Sequence, residues 1–200
     1  MSLVPSVTEL ILAELLYLQF EDASKPIYMY INSTGCARCG GARAAAEQST
    51  CRAALSRTQL RRTTKDGKKL GYDTEAFAIY DTIKYVKPPV HTICVGTAFG
   101  EAAMLLGAGA QGHRAALPSA TIMLKQNISA FRGQATELEI LRQEVRNTKR
   151  QMVEILAKCC DKSVETVEAD ISRPKYFTPY TAVEYGLIDK VLEQQARFLP

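Results

Sequence analysis

Apolar positions near the start of the chain recur at helical spacing: Leu10, Ile11, Leu15, Leu18 and Phe20 predict a helix over Ser6 to Phe20. Ser6, with Glu9 three residues on, has the spacing of a capping box. Lys25-Pro26 breaks that helix, and Ile27-Tyr28-Met29-Tyr30-Ile31 predicts a strand ended by the turn residues Asn32-Ser33-Thr34-Gly35. From Cys36 to about Thr63 no apolar period persists, and Ala and Arg dominate; this stretch, about 36–63, reads as an exposed insert. Periodicity returns at Asp73 to Val86 through Phe77, Ile79, Tyr80, Ile83 and Val86, and Pro88-Pro89 stops it. Val90 to Val95 is nearly all apolar, as in a strand buried on both faces.

The next unit, Ile93 to Gly109, predicts a strand ending at Gly96, a tight turn, and a helix over Ala102 to Ala108. A second short strand is expected at Ala120 to Lys125. The longest helix follows Gly133, from about Thr136 to Cys159, with Leu138, Leu141, Val145, Met152, Ile155 and Leu156 as its apolar stripe. A shorter helix follows Ser163, and Ala182 to Asp189 reads as a helix turning into a last strand. Strands alternating with helices predict an α/β fold with a largely parallel sheet, as one domain over residues 1–200 interrupted by the insert.

A strand, a tight turn and a helix of small residues form a unit that displays one residue beside free backbone N–H groups, an arrangement suited to a nucleophile and an oxyanion. The displayed residue here is Gly100, which has no side chain.

Charge adds one feature. Residues 36–69 hold nine Lys and Arg against Glu47 and Asp66, so 9 − 2 = +7, and with +4 for the chain the remainder is 4 − 7 = −3. A basic insert on a mildly acidic domain does not make the whole chain a nucleic-acid binder. No apolar run approaches the ~20 residues that span a bilayer. Six cysteines are too few for a disulfide scaffold, and the opening residues carry no secretory pattern, so reduced thiols are expected.

Six ordered landmarks resemble the proteolytic subunits of the Clp protease: Tyr30-Ile31-Asn32-Ser33-Thr34-Gly35, Ala78-Ile79-Tyr80-Asp81-Thr82, Ile93-Cys94-Val95-Gly96, Ala108-Gly109-Ala110 with Leu117-Pro118, Gly133-Gln134-Ala135-Thr136, and Glu184-Tyr185-Gly186-Leu187-Ile188-Asp189. The resemblance implies the ClpP/crotonase-like fold of repeated βαβ-type units. It also implies a strand-helix handle near Thr121 and two stacked seven-membered rings enclosing a chamber.

Active members of that family are serine peptidases with a Ser-His-Asp triad. By the same landmarks the serine position falls on Gly100, the histidine position on Lys125 and the aspartate position on Pro174, while the oxyanion region falls on Leu70, Gly71 and Glu101. Glycine offers no attacking oxygen, lysine is protonated near neutral pH, and proline can neither orient nor stabilise a base. These departures resemble the noncatalytic ClpR branch of plastids and cyanobacteria, as do Thr64-Lys65-Asp66-Gly67 and Arg173-Pro174-Lys175-Tyr176-Phe177. What this implies is a structural subunit, not an enzyme, in a mixed ring with ClpP-type and other ClpR-type subunits, served by a Clp/Hsp100 ATPase and adaptors. The setting expected is the plastid stroma, with a cyanobacterial cytoplasm as the alternative. No cofactor, membrane or nucleic-acid partner is expected. A first strand and an axial segment of the family pattern are expected to lie outside this sequence.

The alternative is an active serine-type peptidase using another nucleophile. A Ser-Lys dyad on Lys125 needs a serine within reach, and Thr97, Ser119 and Ser129 have no comparable placement; a solvated or salt-bridged Lys125, with Glu101 as a neighbour, is expected instead. Cys36, Cys39 and Cys51 have partial zinc-ligand spacing but lack a fourth ligand nearby, because His91 and His113 lie far off in sequence, so free thiols are expected there. Cys159-Cys160 are read as packing residues, His91 as structural, and His113 as a turn residue without a catalytic role.

Overall fold

The computed structural model describes residues 3, 5–35, 73–127 and 134–193. The insert, with Cys36, Cys39 and Cys51, and the positions Leu70 and Gly71 lie outside the described residues.

Helix α1 (Pro5–Glu21) starts at Pro5, whose fixed φ suits a first helical position. Ser6 therefore lies inside the first turn and is not the cap the capping-box spacing predicts. Leu15 is buried, but Leu10 and Phe20, expected on the core face, point outward, Phe20 with 91% exposure. Strand β1 (Ile27–Ser33) alternates Ile27, Ile31 and Ser33 inward against Tyr28 and Tyr30 outward. Helix α2 (Asp73–Tyr85) buries Ala76, Ile79 and Ile83; of the predicted stripe Ile79 and Ile83 face the core, Phe77 and Tyr80 only partly, and Val86 is buried just past the helix end.

Strand β2 (Val90–Phe99) departs from expectation: it runs through Gly96 and ends at Phe99. Gly96 takes φ 91°, a conformation that keeps the strand going only because the residue is glycine. Val90, Thr92, Cys94 and Ala98 are buried, while His91, Ile93, Val95 and Thr97 are only partly so, and the strand is not buried on both faces. An apolar run cannot by itself distinguish those two cases.

Ten-residue β2 is the axis of the sheet. β1 lies parallel along one side, Ile27 opposite Val90 and Ile31 opposite Cys94. The other side is shared end to end: β3 (Arg114–Ala116) pairs in parallel with Thr92 to Cys94, and β4 (Thr121–Leu124) in parallel with Thr97 to Phe99. β6 (Lys190–Val191) extends β3 in parallel, and β5 (Lys175–Phe177) pairs antiparallel with β4. Neither β3 nor β5 is predicted by the residue pattern, because three residues are too few to display a period.

Helix α3 (Glu101–Gly107) packs under β2 and is buried at every position. A helix small and apolar all round belongs inside a core. Helix α4 (Ala135–Cys160) buries Met152, Val153, Leu156, Ala157, Cys159 and Cys160 in its second half, whereas residues 135–144 are all exposed. Helices α5 (Val164–Ile171) and α6 (Pro179–Tyr185) close the core with Val167, Ile171 and Ala182. Ser163 caps α5 and Thr178 caps α6 through their side chains, and Gly186 ends α6 at φ 87°. Fully buried residues of this kind contribute about 1.5–3 kcal/mol each per Leu or Ile side chain, which fixes α3 and the end of α4 against the sheet.

Three charged residues are buried among the described residues, Glu101, Arg114 and Lys125, and Arg114 ties the core together. Arg114, 6% exposed, donates through Nε and Nη2 to Asp189 at 3.0 and 2.6 Å and through Nη1 to the Cys159 carbonyl at 2.7 Å. It thereby ties β3 to the approach of β6 and to the end of α4. Among the described residues no helix is long and apolar enough to cross a membrane.

Candidate functional site

The place where β2 meets α3 is built on one residue. Gly100 has φ 57° and ψ −112°, a combination rarely open to residues with a Cβ. Its N–H donates to the Met123 carbonyl at 2.7 Å, and its carbonyl accepts from Ala103 and Met104 at 3.0 and 3.2 Å. The first of these fixes the turn against β4; the other two start α3.

β4 carries Lys125 to the same point. A Cβ built on Gly100 would stand 2.8 Å from Lys125 Cε and 3.4 Å from Cγ, so the lysine stem fills the space a side chain on residue 100 would need. Lys125 is 5% exposed, which overturns the solvated half of the solvated-or-salt-bridged expectation and leaves the other half open. Glu101 is 3% exposed, and neither charged residue is without an interaction. Burying charge is tolerated only when it is partnered. Glu101 reaches the turn after β1: its carboxylate lies against Gly35, where any Cβ would collide with Oε2 and, at 2.7 Å, with the Phe99 carbonyl. A carboxylate in the first turn of α3 suits the positive end of the helix and would oppose a developing oxyanion there.

Pro174 is placed by register. In the antiparallel β4·β5 ladder Ile122 faces Phe177, Met123 faces Tyr176 and Leu124 faces Lys175, and one further step sets Lys125 opposite Pro174. The structure thus brings Lys125 to the turn of Gly100 and Glu101, and leaves Pro174 one residue beyond the last pair of the β4·β5 ladder. Gln126 anchors that place from below, its N–H donating to the Ile171 carbonyl at 3.0 Å and its amide to the Ser172 carbonyl at 3.3 Å. The side-chain amide of Asn127 is buried without a hydrogen-bond partner among the described residues, at the border of residues 128–133.

Thr97 donates its hydroxyl to Asn32 at 3.1 Å within the sheet, Ser119 lies exposed in the turn before β4, and Ser129 is outside the described residues. Burial pushes the Cys94 thiol up to about 11 and Cys160 up to about 12, and raises Cys159 as well. Thiols so held are not thiolates near neutral pH.

A second polar cluster, beside β5, is missed by the residue pattern. Asp170 accepts from Lys175 at 2.6 Å and from the Tyr185 hydroxyl at 2.9 Å. The Lys175 ammonium holds the Asp170 carboxyl below the usual carboxylate range, against the opposing effect of burial and with help from Tyr185. Lys162 Nζ sits 3.7 Å above the Tyr185 ring, and Tyr185 is kept protonated by burial and by Asp170. Asp170 is committed to this cluster through Lys175 and Tyr185.

Two histidines expected to be unrelated are brought together: the rings of His91 and His113 stack at 4.0 Å. Among the described residues no group of three or more His, Cys, Asp or Glu could hold a metal ion. A cavity of about 250 Å³ between α2 and the ends of α3 and α4, lined by Tyr80, Lys84, Arg114 and Lys158 among others, is not at the Gly100 site; Lys84 there donates to the Ala108 carbonyl at 2.9 Å and so satisfies a helix end.

Comparison with known proteins returns one family. The model described as Clp protease matches residues 3–42 and 71–195. The chain is 58% identical over 192 residues to the ATP-dependent Clp protease proteolytic subunit-related protein 4, chloroplastic, of Arabidopsis thaliana, covering 96% of this chain and 54% of that protein. It is 47% identical over 190 residues to a putative ATP-dependent Clp protease proteolytic subunit-like protein of Synechocystis, covering 95% and 73%. To the ATP-dependent Clp protease proteolytic subunit 2 of Gloeobacter violaceus it is 40% identical over 193 residues, covering 96% and 73%. The chain thus spans about half the length of the Arabidopsis relative.

Proposed function

The chain belongs to the Clp protease family, and from that premise we propose that it is a noncatalytic structural subunit of the proteolytic core, completing a mixed heptameric ring with active ClpP-type subunits. The observation that carries the reading is the occupation of the nucleophile position: Gly100 keeps the geometry of a displayed residue, and Lys125 fills the space where its side chain would stand. Pro174 opposite Lys125 removes the third role. Gly100, Lys125 and Pro174 are the degenerate triad of this reading, with Glu101, Leu70 and Gly71 as its former oxyanion region.

Removing triad members leaves at most ~10³ to 10⁴ over water, from oxyanion and binding effects. A buried carboxylate at the helix N-terminus works against even that remainder. The work of the subunit is then geometric: it completes the ring, lines the chamber with an inert site, and presents its own outer surface to the ATPase and adaptors. The plastid stroma is its proposed setting, in keeping with the chloroplastic relative; the residues the family match leaves out, 43–70, fall largely within the basic insert.

Incubation of the purified chain with a fluorogenic peptide and with a fluorophosphonate tests the reading. Neither turnover nor labelling is expected. Turnover that disappears on Ser119→Ala or Ser129→Ala would establish the active-peptidase alternative instead.

A further inference from the structure

The chain has two histidines, and the fold sets them side by side. β2 and β3 run parallel with Thr92 opposite Arg114, and one step back along that register places His91 beside His113. Their rings are nearly parallel, 5° between planes at 4.0 Å between centroids. Tyr28, opposite His91 on β1, sets its ring edge-on to His91 at 5.0 Å. His113 is exposed and His91 partly exposed, so a hydrated ion can reach the ring nitrogens. Neither ring belongs to the hydrophobic core, and the pair stands at the opposite end of β2 from Gly100.

We propose that His91 and His113 form a two-imidazole site for a borderline divalent transition-metal ion, with Zn²⁺ as the probe. Imidazole nitrogen suits zinc, copper and nickel, and two neighbouring strands supply two such ligands on one face at no cost in chain folding. The remaining positions of a tetrahedral ion stay with water. Binding exchanges two water ligands for two ring nitrogens and requires no oxidant or reductant. Ring planes 5° apart do not aim two in-plane nitrogen lone pairs at one ion; a turn about the Cβ–Cγ bond, a broad torsion in histidine, brings them together, and the more exposed His113 makes most of it. Neutral imidazole is the ligand form.

Because the chain contains two histidines, a sample labelled with ¹⁵N-histidine gives two imidazoles to follow, and zinc taken up by cysteines is silent in this readout. Titration of the full chain with ZnCl₂ at pH 7.5 is expected to shift both imidazoles along one shared curve. His91→Gln and His113→Gln are each expected to raise half-saturation of the remaining ring about tenfold or more. The melting temperature of each variant without zinc identifies a folding defect; exposed His113→Gln carries the decision should His91→Gln lower it. Imidazoles that do not move at millimolar zinc, or a response at one ring that survives replacement of the other, would overturn the site.

Discussion

Gly100 and Lys125 share one space: a Cβ on Gly100 would stand 2.8 Å from Lys125 Cε, closer than side-chain carbons pack. The absent side chain at 100 and the buried stem at 125 are thus one structural fact seen from two residues.

Gly100→Ser is therefore expected to destabilise the chain without restoring activity. Holding a non-glycine residue at φ 57° costs about 1–3 kcal/mol, and each kcal/mol lowers the melting temperature by roughly 2–4 °C at this size. Lys125→Ala removes the colliding atoms, so the double variant should lose less than the sum of the singles by about 0.5 kcal/mol or more. Strictly additive losses in thermal denaturation would show that the two residues do not compete.

Asp189 should govern stability in acid. Burial alone would raise its carboxyl, but the Arg114 guanidinium and the Arg114 backbone N–H together hold it below the ordinary 3.8. A carboxyl lowered on folding contributes its full stabilisation above 3.8, and that contribution is lost as pH falls through the lowered value. Asp189→Asn is expected to cost about 3–5 kcal/mol near neutral pH, because Arg114 is left buried without its counter-ion. It should also flatten the decline of stability below pH 3.8. An acid-unfolding curve unchanged by the substitution would refute the assignment.

The three described thiols give a separate test of the core. Cys94, Cys159 and Cys160 are free and buried, and burial raises all three, Cys94 to about 11 and Cys160 to about 12. Iodoacetamide at pH 8 should leave these positions unmodified in the native chain and alkylate them in denaturant, as read by peptide mass spectrometry. Native-state alkylation at Cys94 would contradict the packing of α3 beneath β2.

Much of this architecture is legible along the chain, for identifiable reasons. α2 is legible because Ile79 and Ile83 keep a helical period, and α3 is legible as a helix because Ala102 to Leu106 are small or apolar. Gly100 stands out as a glycine where a display turn is built. β3 and β5 escape notice because three residues hold no period, and the pairing that makes them strands is with β2 and β4. Lys125 reads as a solvated or salt-bridged lysine because nothing near it in sequence buries it; the space left by the missing Cβ of Gly100 takes in its stem. His91 and His113 are distant in sequence and adjacent only through the β2·β3 register.

α4 offers the test of assembly. Its second half is core, yet the first ten residues are exposed and carry Ile140 at 71%, with Leu138 and Leu141 also on the surface. Apolar side chains on the outside of this helix are what a subunit contact of the proposed core would cover. Ile140 is 71% exposed, so Ile140→Glu should change the fold by no more than about 0.5 kcal/mol. In the proposed core the same charge would be desolvated at a subunit contact, and co-assembly with active Clp subunits should fall sharply, as measured by native mass spectrometry of the mixed complex. A variant that folds and still enters the ring at the wild-type ratio would place the contact elsewhere, since a buried unpaired carboxylate is not accommodated silently.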